Sequence, residues 1–197
     1  CGPAVRPDGH AVGRADAVDL RLSAEADALA VTMTVRVRSE RPLLIPLLTG
    51  EAVLTTPAPR GAPWRIERRA SGHVLLIDRA GDHCVVLGFV LPLAAVDGDG
   101  LRSVGFGPPA ALAVRAVLSV PLTALDIVAA DGIDLAVTEA AGATVAAARF
   151  APESAIGFHW RARGRRTAEE VAQVFADVVG ALRFDAGVVD GSHRVQL

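Results

Sequence analysis

Asp82-His83-Cys84-Val85-Val86-Leu87-Gly88-Phe89-Val90-Leu91-Pro92-Leu93 is the stretch from which the rest of the chain can be read. After Asp82 it carries no acidic or arginine side chain; Gly81-Asp82 opens it and Pro92 closes it. Val85, Leu87, Phe89 and Leu91 alternate on one side, and Cys84, Val86, Gly88 and Val90 fall on the other. Apolar residues on both parities predict a strand in the middle of a sheet, with a layer packed over each side. Phe89, at its centre, is expected to be deeply buried.

Working outward, the same period recurs. Upstream, Leu29, Val31, Met33, Val35 and Val37 alternate over ten residues, the clearest period-two signal in the chain. Ala17–Leu22 alternates ahead of it, joined through Ala24-Glu25-Ala26-Asp27 as a hairpin connection. Pro42 and Pro46 bracket an apolar run, which fits an edge or bulged strand because proline donates nothing to a ladder. Ala52–Thr56, Trp64–Arg69 and His73–Asp78 follow, the last predicted to form a hairpin with the Asp82 stretch. Downstream, strands are expected at Leu101–Phe106, Leu112–Val120, Leu125–Val128, Ile133–Thr138, Thr144–Phe150 and Ile156–Trp160. Turn residues every eight to twelve positions give the rhythm of a sandwich or barrel. The sequence therefore predicts an all-β chain, one or two antiparallel β-sandwiches of about 13–15 short strands. Its organisation reads as an extended lead-in (1–15), a β-sandwich domain (16–106), a second β-rich layer or domain (107–166) beginning at Gly107-Pro108-Pro109, and a C-terminal segment (167–197).

That last segment admits two readings. Thr167 with Glu170 three residues on makes a capping box, and Val171, Val174, Phe175, Val178, Val179 and Leu182 follow at helical spacing, so one helix is allowed around 167–182. Against it, Leu182–Ala186 echoes Leu20–Ala24 and Ser192–Leu197 echoes Thr32–Val37, which would make 174–197 a hairpin opening a further repeat. The sequence stops on alternating Val195 and Leu197. Such a strand needs cover, either inside its own sandwich or by strand addition to a neighbouring copy in a head-to-tail assembly.

Composition narrows the function classes. Hydrophobic residues make up 51% and charged residues 21%, with a net charge of -2, so nothing draws the chain electrostatically to nucleic acid. Lys, Asn and Tyr are absent and all 20 basic residues are Arg, a bias expected of a GC-rich bacterial genome. Lysine Schiff bases, Walker-type phosphate loops and N-glycosylation are thereby excluded. No apolar run reaches the roughly 18 residues a transmembrane helix needs. Cys1-Gly2-Pro3 looks like the start of a bacterial lipoprotein after signal-peptide removal, making Cys1 a candidate lipid anchor. Cys84 is either a disulfide partner for Cys1 or a small buried hydrophobe on the second face of its strand, the latter being preferred.

Chemistry-bearing motifs are sparse. His10, His73, His83, His159 and His193 show no metal-ligand spacing, and no metal or cofactor is expected. Asp97-Gly98-Asp99-Gly100 resembles the start of a calcium loop but lacks the later acidic ligands and reads as a turn. No serine sits in a nucleophile elbow. The candidate ligand-binding residues are Trp64 and Arg65 near Arg68 and Arg69, and His159, Trp160, Arg161 and Arg163, because an indole beside guanidinium groups can stack on a sugar or clamp a phosphate.

Four motifs together resemble a β-sandwich repeat of large bacterial cell-envelope proteins: Pro46-Leu47-Leu48, Gly81-Asp82-His83, Val90-Leu91-Pro92-Leu93 and Gly107-Pro108-Pro109-Ala110. Phe175-Ala176-Asp177-Val178 resembles the opening of the next repeat and favours strand over helix there. The resemblance implies an exported scaffold without catalytic residues. The expectation is a non-enzymatic envelope or extracellular module with protein partners or self-association through its C-terminal strand; a glycan-binding module built on Trp64 and Trp160 is the alternative.

Overall fold

The period-two segments all become strands. A computed structural model describes residues 9–56, 58–94, 96–97 and 100–164, and the backbone of 177–185 and 188–196. In chain order the strands are β1 (Ala11–Val12), β2 (Ala17–Ala24), β3 (Ala28–Ser39), β4 (Leu43–Pro46), β5 (Val53–Leu54), β6 (Trp64–Arg69), β7 (Gly72–Ile77) and β8 (Gly81–Pro92). There follow β9 (Arg102–Phe106), β10 (Val114–Val120), β11 (Leu125–Ala130), β12 (Gly132–Ala140), β13 (Ala143–Phe150), β14 (Ile156–Ala162), β15 (Asp177–Asp185) and β16 (Val188–Gln196). No helix occurs among the described residues, and the protein is an all-β sandwich.

One layer is a seven-stranded sheet in the order β12-β13-β10-β2-β3-β8-β5. Its spine is β3, paired with β8 over twelve residues from Ala28↔Pro92 to Ser39↔Gly81, and with β2 on its other side. The inward parities of β2, β3, β8 and β10 are apolar over their centres: Leu20, Leu22, Leu29, Met33, Leu87, Phe89, Ala116 and Leu118 are all nearly inaccessible to solvent. A four-stranded sheet (β1-β4-β7-β6) and a three-stranded sheet (β11-β14-β9) supply the facing residues, among them Ile45, Leu75, Ile77, Phe106, Ile127, Phe158 and Trp160, and all join one buried cluster. Phe150 of the larger sheet meets Phe158 edge to face, with centroids 5.8 Å apart.

Most pairs are antiparallel, but β1–β4 and β2–β10 are parallel. The second arises at Gly107-Pro108-Pro109-Ala110, which leaves β9 in one layer and starts β10 beside β2 in the other. Ala15 N–H donates to the Ala110 carbonyl (2.8 Å), Leu112 N–H to the Ala15 carbonyl (2.9 Å) and Val18 N–H to the Ala113 carbonyl (2.9 Å). Ala15 and Ala111, both buried, are small enough to let the two chains close on one another. Residues on either side of Gly107 thus share sheet and core, and Cys1–Arg163 is one compact unit. Gly164–Leu197 is a second unit, in which β15 and β16 pair antiparallel from Asp177↔Gln196 to Asp185↔Val188. Where the sequence allows helix or strand, 177–185 is strand; 167–176 lies outside the described residues.

Four expectations are corrected. The Asp82 stretch is not the middle of its sheet: β8 lies one strand from the edge, and the edge strand β5 pairs with it only at Val53 and Leu54. Its second face is not packed over along its length, because Val86 is 53% exposed, although Thr55 and Thr56 fold across Gly88. Cys84, on that face, is exposed rather than a buried hydrophobe and has no disulfide partner among the described residues; Cys1 lies outside them. Finally, β7 and β8 are not a hairpin. The turn after Ile77 carries the chain from one layer to the other, so that His73 of β7 packs edge-on against Phe89 of β8 across the core, with centroids 5.2 Å apart. The lead-in also contributes β1, which no alternation in the sequence announces.

Candidate functional site

The two tryptophan-centred candidates fall on different sheets and neither forms an exposed platform. Trp160 is on the inward parity of β14 with Ile156 and Phe158, and only 3% of it is exposed. It fills the core and cannot stack on a sugar. Its neighbours alternate outward: His159 lies opposite Ser103 and Val128, and Arg161 opposite Asp126. Arg163 is occupied, its Nε 3.1 Å from Asp126 and a terminal nitrogen 3.7 Å from Glu139. It ties the end of β14 to β11 and β12 instead of waiting for a ligand.

Trp64 is half-buried and packs against the core beside Ile66. Arg65 points to the other side of β6 and enters a chain of charges. It bonds to Asp78 and, through Nε, to Glu67 (3.3 Å); Glu67 is also bonded by Arg69 (3.0 Å), and Asp78 by His10 Nε2 (3.1 Å). The Arg69 guanidinium, aided by Arg65, holds Glu67 below the usual carboxylate range. Burial pushes Asp78 upward, but Arg65 and His10 outweigh it and its net shift is also downward. Arg65 in turn is raised, chiefly by its bond to Asp78. Arg68 donates to the carbonyls of Ala52 (2.8 Å) and Gly50 (3.3 Å), pinning the loop ahead of β5. These arginines hold strands and loops together.

The histidines are dispersed, and no group of three metal-ligating side chains occurs among the described residues. Asp97 makes turn contacts: its carboxylate accepts from Leu101 N–H (2.8 Å) and its carbonyl from Gly100 N–H (3.1 Å). His73 is buried, and its Nδ1 has no hydrogen-bond partner among the described residues. Burial, with Arg68 nearby, holds it below its ordinary value.

A more promising surface comes from the outward parities of the central strands. Asp19, Arg21 and Ser23 of β2, Thr32, Thr34 and Arg36 of β3, Val86 of β8, and Arg115, Val117 and Ser119 of β10 line an open depression of about 1020 Å³. The pairing registers lay its residues in rows: Arg149, Arg115, Asp19, Thr34 and Val86 in one, and Ala147, Val117, Arg21, Thr32 and Gly88 in the next. Asp19 is taken by Arg36. Neither Arg21 nor Arg115 has an ion-pair or hydrogen-bond partner among the described residues. These are the polar halves of alternating strands. The signal is visible in the sequence, but β2 and β10 lie some ninety residues apart and their parallel pairing is not.

No family model matches the chain, and no curated protein matches it. Among solved structures it is similar to a mutant M1 zinc metallopeptidase from Deinococcus radiodurans bound to a Tyr-Ser-Ala substrate, with 12% identity and a TM-score of 0.46 over 92% of this chain and 47% of that one. A mutant two-domain M1 zinc metallopeptidase bound to L-tryptophan gives the same values. The M1 zinc metallopeptidase from Deinococcus radiodurans matches at 13% identity and a TM-score of 0.46, over 92% of this chain and 46% of that one. The chain spans about half the length of these structures. A likeness at this level assigns no role to any residue here.

Proposed function

We propose that the protein is a non-enzymatic interaction module of the bacterial cell envelope, an exported β-sandwich scaffold that meets its partner on the outer face of the seven-stranded sheet. One observation carries this reading: among the described residues the sheet's outer side forms an open depression of about 1020 Å³ whose lining includes Asp19 and Arg, Thr, Ser and Val side chains. Concave, mixed-polarity surfaces on a rigid sheet are where recognition is commonly built. Placement in the envelope rests on the repeat-like motifs around Pro46, Gly81, Val90 and Gly107. A photoreactive residue installed at Thr32 in the producing bacterium should yield one discrete envelope-protein adduct, and the same residue at Val128, exposed on the three-stranded sheet, should not. Equal labelling from both positions, or specific turnover by the purified chain that one point change abolishes, overturns the reading.

Self-association through the C-terminal strand is a second form of the proposal. β15 and β16 pair only with each other among the described residues, so each keeps an edge open to strand addition. Deleting 174–197 should then abolish higher-order species in sizing and electron microscopy; a full chain that stays monomeric rules this form out.

A further inference from the structure

We propose that the depression binds an extended acidic peptide segment of a partner protein, with carboxylates two residues apart, one held by Arg115 and the other by Arg21. This rests on the interaction-module reading and adds the partner's chemistry.

Charge is the first support. The chain as a whole is acidic, at -2, yet the lining of the depression sets Arg21, Arg36 and Arg115 against Asp19 alone among the described residues. Asp19 is paired with Arg36, and the exposed guanidinium groups of Arg21 and Arg115 have no ion-pair partner among the described residues. A guanidinium binds carboxylate with two parallel hydrogen bonds, stronger than a neutral pair.

Register is the second. Arg115 sits beside Asp19 on the adjacent strand, and Arg21 is two residues further along β2. The two arginines are therefore one pleat repeat apart along the strand direction, about 6.8 Å. An extended peptide presents side chains on one face at that same repeat. Laid along the trough between β10 and β2, a Glu-x-Glu segment sets one carboxylate at each arginine. Val117, level with Arg21, offers an apolar rest beside it, and Thr32, on the other side of Arg21, offers a hydroxyl.

Backbone saturation is the third. β2 is hydrogen-bonded to β10 on one side and β3 on the other, so no edge is available and recognition must run through side chains. Among the described residues no aromatic ring lines the depression, which disfavours a sugar polymer. Free phosphate or an anionic membrane would gain from the charge but would be indifferent to the spacing.

The experiment uses the full chain and fluorescent peptides read by polarisation. One peptide carries Val-Glu-Val-Glu-Val; a second, of the same composition, carries Val-Glu-Glu-Val-Val, whose carboxylates point to opposite sides when extended. The first should bind at least tenfold more tightly, weaken with salt, and lose at least tenfold in Arg21→Glu and in Arg115→Glu. Both residues are exposed, so thermal unfolding of these variants should match the parent. Equal binding of the two peptides overturns the proposal, as does binding of inorganic phosphate or phosphatidylglycerol vesicles at these arginines without peptide selectivity. A Thr32 photo-adduct accompanied by no peptide selectivity would remove this partner chemistry and leave the interaction module standing.

Discussion

Gly72–Ile77 and Gly81–Pro92 are neighbours in sequence, and both carry apolar residues on the two parities of a strand. Every residue of β7 is buried, whereas β8 buries Val85, Leu87, Phe89 and Leu91 and exposes Cys84 and Val86. The difference lies in what each strand is laid beside. Next to β7, the outward residues of β6 are Arg65 and Glu67, level with Leu76 and Val74, and their ion pairs hold long aliphatic stems in place on that side. Next to β8, the outward residues are Thr34 and Arg36 on β3, and on the far side only two residues of β5. Apolar content on both faces of a strand states what could be covered; the neighbouring strands decide what is.

The comparison can be broken at its strongest point first. Phe89→Ala should cost about 3–5 kcal/mol in urea unfolding, because it removes a fully buried ring from the centre of the core. Val86→Ala, three residues away on the other face, should stay within about 0.5 kcal/mol. Similar losses at the two positions would mean that both faces of β8 are packed in solution. Leu76→Ala tests the partner strand. It lies on the outward parity of β7 yet has no exposed surface, so a loss of about 2–5 kcal/mol is expected. A loss as small as that of Val86→Ala would show that β7, too, is covered on one side only.

Gly72→Ala sharpens the comparison at the start of β7, with a loss of about 1–3 kcal/mol expected. Gly72 has φ +124°, and a Cβ there would stand 2.3 Å from the Leu48 carbonyl oxygen. The close approach lets Leu48 accept the His73 N–H (3.0 Å) while Leu47 N–H reaches the His73 carbonyl (2.9 Å). The readout is thermal unfolding; an unchanged midpoint would place Leu48 further from β7.

These cases also mark how far the sequence could be read. Alternation located β2, β3, β8, β10 and β13 nearly to the residue, because each buries one face and exposes the other, which is the condition that writes period two into a strand. Phe89 was legible as core for the same reason. Ala11–Val12 was not legible as strand, being two residues whose only ladder among the described residues is with β4. Nor was the crossing between β7 and β8: the turn residues before Gly81 suit a hairpin as well as a change of layer. The site was the least legible part. Trp160 looked available because it stands among arginines, yet those side chains alternate away from it on β14. Nothing in the sequence singles out Arg21 and Arg115; only the parallel pairing of β2 with β10 makes them neighbours.

The smallest expected effect is a pH dependence set by His73, the residue through which β7 touches Phe89. Its Nδ1 is buried with no partner among the described residues, and desolvation, with the charge of Arg68, keeps its pKa below the ordinary value near 6.5. The folded protein therefore resists protonation at a site that the unfolded chain protonates readily. Stability from this group is complete above about pH 6.5 and is lost as pH falls from there toward the folded value, since the unfolded state binds more protons across that window. Glu67 and Asp78 act in a separate range: their folded values are depressed, so their contribution is lost only as pH drops below the ordinary carboxylate values near 4. His73→Phe keeps a ring against Phe89 and removes both the orphaned nitrogen and the proton site. Urea unfolding at pH 8, 7, 6 and 5 should show the parent weakening toward pH 5 while the variant changes less, with the two nearest each other at pH 8. Parallel pH profiles would mean that His73 gains a partner or reaches solvent, and that the contact between β7 and β8 across the core is looser than its 5.2 Å ring separation implies.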